Sequence, residues 1–145
     1  MASFEPKSTV YKQRVENSFD QQNVMQTIGA SLVSVQPGEV TIALPFDAKL
    51  TQQNGFLHAG IITTVVDSAC GYAAYSLMPD EAEVLSIEMK TNLLSPAKGE
   101  HFIAVGKVIK PGRNIMFTQG ELIAIDNGQQ KTVATFSGTM MAIYR

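Results

Sequence analysis

Between Lys49 and Asp80 the chain carries a single formal charge, Asp67. Around it runs GIITTVVDSACGYAAYSLM, with Ile61, Ile62, Val65, Val66, Ala69, Cys70, Ala73, Ala74 and Leu77 distributed over every side of a helix. A helix apolar all round is enclosed by other structure rather than laid on a surface. The length and the Ala-rich second half favour a helix over roughly Ala59 to Leu77, ended by Pro79, although GIITTVV alone is compatible with a strand. The span from residue 50 to 79 is long enough to cross a bilayer, but it contains Gln52, Gln53, Asn54, Gly55, His58 and Asp67. A buried helix of a non-membrane protein is the better reading.

Whatever encloses this helix comes from the flanking sequence. Ser8 to Phe19 reads as a surface helix with Ser8 as N-cap, and a shorter helix from Asp20 presents Val24, Met25 and Ile28 before stopping at Gly29. ASLVSVQ, the Pro37-Gly38 turn and EVTIALPF form a hairpin, its second strand alternating Val40, Ile42, Leu44 and Phe46. After Pro79 only strands follow: EVLSIEMKTNLL, HFIAVGKVIK, NIMFTQGELIAI and KTVATFSGTMMAIY, separated by turns at Pro96–Gly99, Pro111–Arg113 and Asp126–Gly128. Asn127-Gly128 is a strong type I′ hairpin signal. The expected architecture is α+β, an antiparallel sheet of about six strands wrapped around one long central helix. Residues 1–145 form a single domain, with residues 1–20 a peripheral N-terminal helix. The helix covers one sheet face. On the last strand either Phe136, Met140 and Tyr144 or Val133, Met141 and Ile143 remain on the other, and self-association is the expected remedy.

Charge and cysteine content narrow the function. A net charge of -2 gives no basic field for nucleic acid. The single cysteine, Cys70, excludes an internal disulfide, and with two distant histidines it makes no metal site. The N-terminal segment MASFEPKSTVYKQRVENSFDQQ is charged throughout and has no secretory h-region, so a cytoplasmic location is expected.

An ionised carboxylate out of water must be paired, neutralised or put to use. Asp67 lies eight residues into its helix, about 12 Å from the start, too far to serve as that helix's own N-terminal counter-charge. The start itself, LHAGI, offers unpaired backbone N–H groups and the positive dipole end beside small side chains, a site for an anion or a developing oxyanion. Donor and acid do not meet on one helix. They meet if one subunit supplies the first and its mate the second.

From about Gln22 to Tyr144 the chain resembles the hotdog-fold acyl-CoA thioesterases of the PaaI-like, HGG-motif group. The resemblance rests on QQNGFLHAGIITTVVDSACGYAA, LSIEMKTNLLSPAKGE and VIKPGRNIMFTQGELI. The family pattern places a polar amide six residues before His-Gly-Gly, and an Asp or Glu nine residues after that His; Gln52, His58 and Asp67 match. Ser86 in LSIEM fits a Ser or Thr of the next strand. The first motif glycine is Ala59 here, which keeps the N–H but adds a methyl group that narrows the approach.

The resemblance implies hydrolysis of an acyl-CoA thioester to free acid and coenzyme A at the interface of a homodimer or dimer of dimers. It needs no cofactor beyond the coenzyme A of the substrate. Asp67 would act as general base towards water or as nucleophile. The N–H of Ala59, with that of Gly60, would polarise the carbonyl; Gln52 would orient carbonyl or water, His58 would fix the loop, and Ser86 would hold the water or the carboxylate. Asn54, Lys98, Lys110 and Arg113 would contact coenzyme A, and Phe56, Tyr72, Tyr75 and Met78 would line an acyl pocket. Taken singly, His58 reads as a loop-capping histidine, Arg113 as a solvated turn residue, His101 as a strand-opening residue and Cys70 as a small core residue. Two other readings stay open: a module that binds acyl-CoA without turnover, motivated by Ala59, and a hydroxyacyl-thioester dehydratase, whose Phe and Pro context around the histidine FLHAGI lacks.

Overall fold

The computed structural model describes residues 3–145. Helix α1 spans Tyr11–Gln21 and α2 Asn23–Ile28; strands β1 (Ser31–Gln36) and β2 (Glu39–Pro45) follow. Then come a short 3₁₀ turn (Ala48–Leu50), the long helix α3 (Ala59–Tyr75), and β3 (Ala82–Leu93), β4 (His101–Pro111), β5 (Ile115–Asp126) and β6 (Gln129–Tyr144). All six strands join one antiparallel sheet in the order β1-β2-β4-β5-β6-β3. This is the hotdog arrangement expected from the sequence, with α3 packed along the sheet. Among the described residues no helix is long and apolar enough to cross a membrane.

GIITTVV is helical because burial outweighs propensity. Ile62, Val65 and Val66 are almost wholly buried. Each such side chain contributes about 1.5–3 kcal/mol, against roughly 0.5 kcal/mol lost per β-branched residue in a helix. The helix lies very close to the sheet, and two glycines permit it. A Cβ on Gly106 of β4 would lie 2.3 Å from the Ala69 carbonyl carbon, and one on Gly120 of β5 would lie 2.7 Å from Val66 Cγ1. The helix ends at Tyr75, short of Pro79. The Ser76 hydroxyl donates to the Ala73 carbonyl at 2.6 Å and accepts the Gly38 N–H at 2.8 Å, tying the helix end to the β1–β2 turn.

Turn chemistry set the strand boundaries as anticipated. Asn127 and Gly128 both have positive φ (49° and 75°), as a type I′ turn requires. On β6, Val133, Phe136 and Met140 are buried, whereas Met141 and Tyr144 are exposed, so each of the two expected alternations is right in part. The β5–β6 register shift between Leu122 and Ile123 makes Val133 an extra residue, buried beside Ala134; from there the alternation runs unbroken, and Tyr144 is exposed at the strand end. Strand β3 has a similar shift between Ser86 and Glu88.

Helix α1 begins at Tyr11 rather than Ser8; the Ser8 hydroxyl accepts the Val10 N–H at 3.2 Å and shapes the approach to it. It lies outside the sheet but is built into the core through Val15 and Phe19. Arg14 fastens it to the far end of α3: its guanidinium donates to the carbonyls of Met78 and Ala82, both at 3.0 Å, and sits 4.4 Å over the Tyr75 ring.

Candidate active site

The acid comes first. Asp67 points from α3 towards β3, where the Ser86 hydroxyl donates to its Oδ1 at 2.7 Å. Burial raises the pKa of Asp67 above its ordinary 3.8, and the Ser86 hydrogen bond partly opposes that rise. An acid whose proton affinity is raised, with one carboxylate oxygen already oriented, is suited to taking a proton. A second cross-link, Thr63 Oγ1 to Thr91 Oγ1 at 3.0 Å, holds α3 against β3 one turn earlier.

The donor end lies at the start of the same helix. The loop leading to it is a tight turn: the Gln52 N–H bonds to the Phe56 carbonyl at 2.8 Å, and the Gln52 side-chain oxygen accepts the Asn54 N–H. The NH₂ of Gln52 remains to donate to a ligand, while Asn54 sits exposed on the turn itself. His58 is the N-cap of α3. Its Nδ1 accepts the Gly60 N–H at 2.8 Å, and its carbonyl accepts the N–H groups of Ile61 and Ile62. Among the described residues the Ala59 N–H has no acceptor. The expected pair of donors is therefore one: Gly60 serves the loop, and Ala59 alone faces outward with the positive end of the helix behind it. An accepting Nδ1 also assigns His58 a shaping role and puts the ring proton on Nε2.

The remaining expected residues divide. Within one protomer Lys98, Lys110 and Arg113 do not gather round one phosphate group. The register pairs His101 with Ile125 at one end of β4 and Pro111 with Met116 at the other. Lys98 thus lies beside the Gln52–His58 loop, in a cleft with Phe56 and Lys131, while Lys110 and Arg113 sit roughly 30 Å away along the strand. Of the four expected acyl-pocket residues only Tyr72 reaches the space beside Asp67. Met78 is fully buried core, Tyr75 packs under Arg14, and Phe56 belongs to the Lys98 cleft. Cys70 is buried and its thiol is pushed up to about 12, chiefly by burial, so it is an inert core residue.

Sequence reasoning missed the other half of the site. The pocket next to Asp67, about 370 Å³, is closed by Ser18 and Gln22 from the end of α1 and lined by Ser68 and Glu83. Ser68 was legible as the neighbour of Asp67. Gln22 and Ser18 were not, because only tertiary packing brings α1 across α3.

The family described as the Thioesterase superfamily matches residues 54–131, more than half of the chain. A crystal structure of a thioesterase family protein from Silicibacter pomeroyi is 48% identical, covers 93% of this chain and 99% of its own, and superposes with a TM-score of 0.92. Acyl-coenzyme A thioesterase 13 of Homo sapiens is 33% identical over 95 residues, 63% of this chain and 66% of that one. The E. coli PaaI protein, from the phenylacetic acid degradation operon, shares the fold with a TM-score of 0.84 at 21% identity, over 94% of this chain and 96% of its own. The chain belongs to the thioesterase superfamily, as a hotdog-fold enzyme that hydrolyses thioesters.

Proposed function

We propose that the protein hydrolyses acyl-CoA to free carboxylic acid and coenzyme A, at sites each shared between two copies of the chain. The observation that carries this reading is the separation of two half-sites on one helix. The Asp67–Ser86 pair and the free Ala59 N–H are eight residues apart, about 12 Å. Neither can act on the carbonyl held by the other within one protomer. Edge strand β3 supplies the means of pairing. It is twelve residues long, twice the length of the opposite edge β1, and exposes Leu85, Ile87, Met89 and Leu93. A long, bare, apolar edge is a template for a second strand. Two-fold pairing along it runs the two copies of α3 in opposite directions, the acid of each towards the start of the other.

In such a site the thioester oxygen accepts the Ala59 N–H, and the amide of Gln52 lies on the same loop to orient carbonyl or water. Asp67 takes a proton from water as the oxygen attacks the carbonyl carbon; the tetrahedral oxyanion is held by the backbone donor and collapses with loss of the thiolate. Direct attack by the carboxylate, giving an anhydride that water then opens, uses the same groups. No strong acid is needed for the leaving group, since a thiol of pKa about 8.5 departs readily as thiolate. Lys98 beside the loop is placed for a coenzyme A phosphate.

The test is complementation. Ala59→Pro removes the donor and should fold, since proline is tolerated at the first helical position and His58, with φ −62° and ψ 139°, already has the backbone a residue before proline adopts. Its activity towards an acyl-CoA panel, read by thiol release, should fall about 10²-fold or more. Asp67→Asn should be similarly crippled. Mixed and allowed to exchange, the two inactive proteins should recover about a quarter of wild-type activity, because each hybrid dimer has one intact site. Recovery of nothing, with exchange demonstrated, would contradict a shared site. Tight binding of acyl-CoA by the wild type without thiol release would replace hydrolysis by the binding-module reading.

A further inference from the structure

Ala59, Thr63 and Asp67 follow one another at intervals of four along α3, so their side chains stand on one face of the helix. That face is turned towards β3 and tied to it at two points. Asp67 accepts from Ser86, and Thr63 Oγ1 lies 3.0 Å from Thr91 Oγ1. Strand β3 is an edge of the sheet and the template for a second copy, so this face of the helix is the one turned towards that copy. Symmetry then fixes what lies between the half-sites. A two-fold axis that sets Asp67 of one copy against the helix start of the other does the same in reverse. Each step forward along one helix is a step back along the other. The position halfway between 59 and 67 therefore faces its own copy, and that position is Thr63.

The residue suits the place. Thr63 is half-buried and short, and its β-branch leaves few rotamers, one of which the Thr91 hydroxyl holds. Packed helices lie about 8–10 Å apart, axis to axis. With each Cα about 2.3 Å from its axis, two facing Cα atoms at the crossing come within about 4–6 Å. Ala59 and Asp67 lie about 6 Å to either side, where crossed helices diverge and leave room for a thioester between donor and acid. The neighbouring Thr64 is turned about 100° round the helix, and its hydroxyl is already given to the Gly60 carbonyl at 2.8 Å.

We propose that Thr63 meets the partner's Thr63 on the two-fold axis and is a positioning residue for both active sites at once. Its size sets the gap between the acid of one copy and the Ala59 N–H of the other. This rests on the shared-site reading for the existence of the axis. A displacement of about 1 Å in a reacting constellation costs about 10²-fold in rate, so one side chain that touches no substrate governs two sites together.

The experiment uses an introduced thiol, since the one native cysteine, Cys70, is wholly buried. Thr63→Cys treated with diamide, which takes up the two thiol hydrogens as the disulfide forms, should run as a covalent dimer on a non-reducing gel. Thr64→Cys and the wild type should run as single chains. Thr63→Leu should keep its melting temperature and its sedimentation as a dimer, yet lose about 10²-fold in kcat towards acyl-CoA. Thr63→Val, of the native shape, should regain most of that loss. Cross-linking as ready at position 64 as at 63, or a Thr63→Leu enzyme of undiminished kcat, overturns the proposal. If Ala59→Pro and Asp67→Asn complement each other while Thr63→Cys gives no cross-link, the sites are shared but the axis lies elsewhere, and the proposal alone falls. Failed complementation removes the shared site itself, and the axis with it.

Discussion

The two halves of α3 are built to opposite specifications. From Ala69 to Tyr75 all but Gly71 are buried, pressed on Gly106 and Gly120 of the sheet and closed off by Arg14 and Ser76. From Ala59 to Asp67 the helix keeps an unpaired N–H, a half-buried carboxylate and two threonines partly open to solvent. Both halves bury apolar side chains, Ile62, Val65 and Val66 in the first, but only the first also keeps polar groups available, at some cost to stability. Reactive positions are those where a helix is not optimised, and that division can be tested from either side.

The largest effect should come from Asp67→Asn, a loss of about 10³-fold in kcat with substrate binding retained. The same change should stabilise the protein at neutral pH. The folded-state pKa of Asp67 lies above its unfolded value of 3.8, so ionisation favours the unfolded chain. Stability present below about pH 3.8 is lost as pH rises through the folded value. Melting curves should therefore show the variant ahead at pH 7, with the gap closing towards pH 4. A variant that melts lower at pH 7 would mean that Asp67 braces the fold and that the two halves are not separable.

Next comes the structural half. Gly106→Ala places a methyl group against the Ala69 backbone and should cost about 3 kcal/mol, lowering the melting temperature by roughly 10 °C. Gly71→Ala, whose added methyl meets nothing, should be neutral or stabilising by up to about 1 kcal/mol. Equal losses at both positions would erase the distinction between the faces.

The smallest effect is the most diagnostic. Ser86→Ala removes the hydrogen bond that lowers the Asp67 pKa, so the acidic limb of the pH–rate profile should move to higher pH. The plateau rate should fall by about tenfold or less, in line with one hydrogen bond. An unmoved limb would detach Ser86 from the acid.

Much of this was legible in the sequence because it is local. The apolar girdle of α3, the alternation in β2, the Asn127-Gly128 turn and the spacing Gln52–His58–Asp67 all depend on neighbours a few residues away. What escaped depends on register and on long-range packing. That His58 claims the Gly60 N–H follows from a rotamer, not a motif. That Lys98 parts from Lys110 and Arg113 follows from the direction of β4. That Gln22 reaches Ser68, 46 positions along the chain, follows from how α1 returns over α3, which no periodicity encodes.

The register shift in β3 has a further consequence. Val84 and Ser86 face α3 before it, and Met89, Thr91 and Leu93 face α3 after it. The strand thus carries two alternating patterns out of step by one residue, with Ile87 as the extra residue. Paired regularly, the same strand would turn Glu88 and Lys90 towards the helix in place of Met89 and Thr91. The strand is keyed: sliding it by one position breaks the hold on Asp67 and swaps two charges onto the helix side in the same movement, so a partner docking along that edge meets it at a single setting.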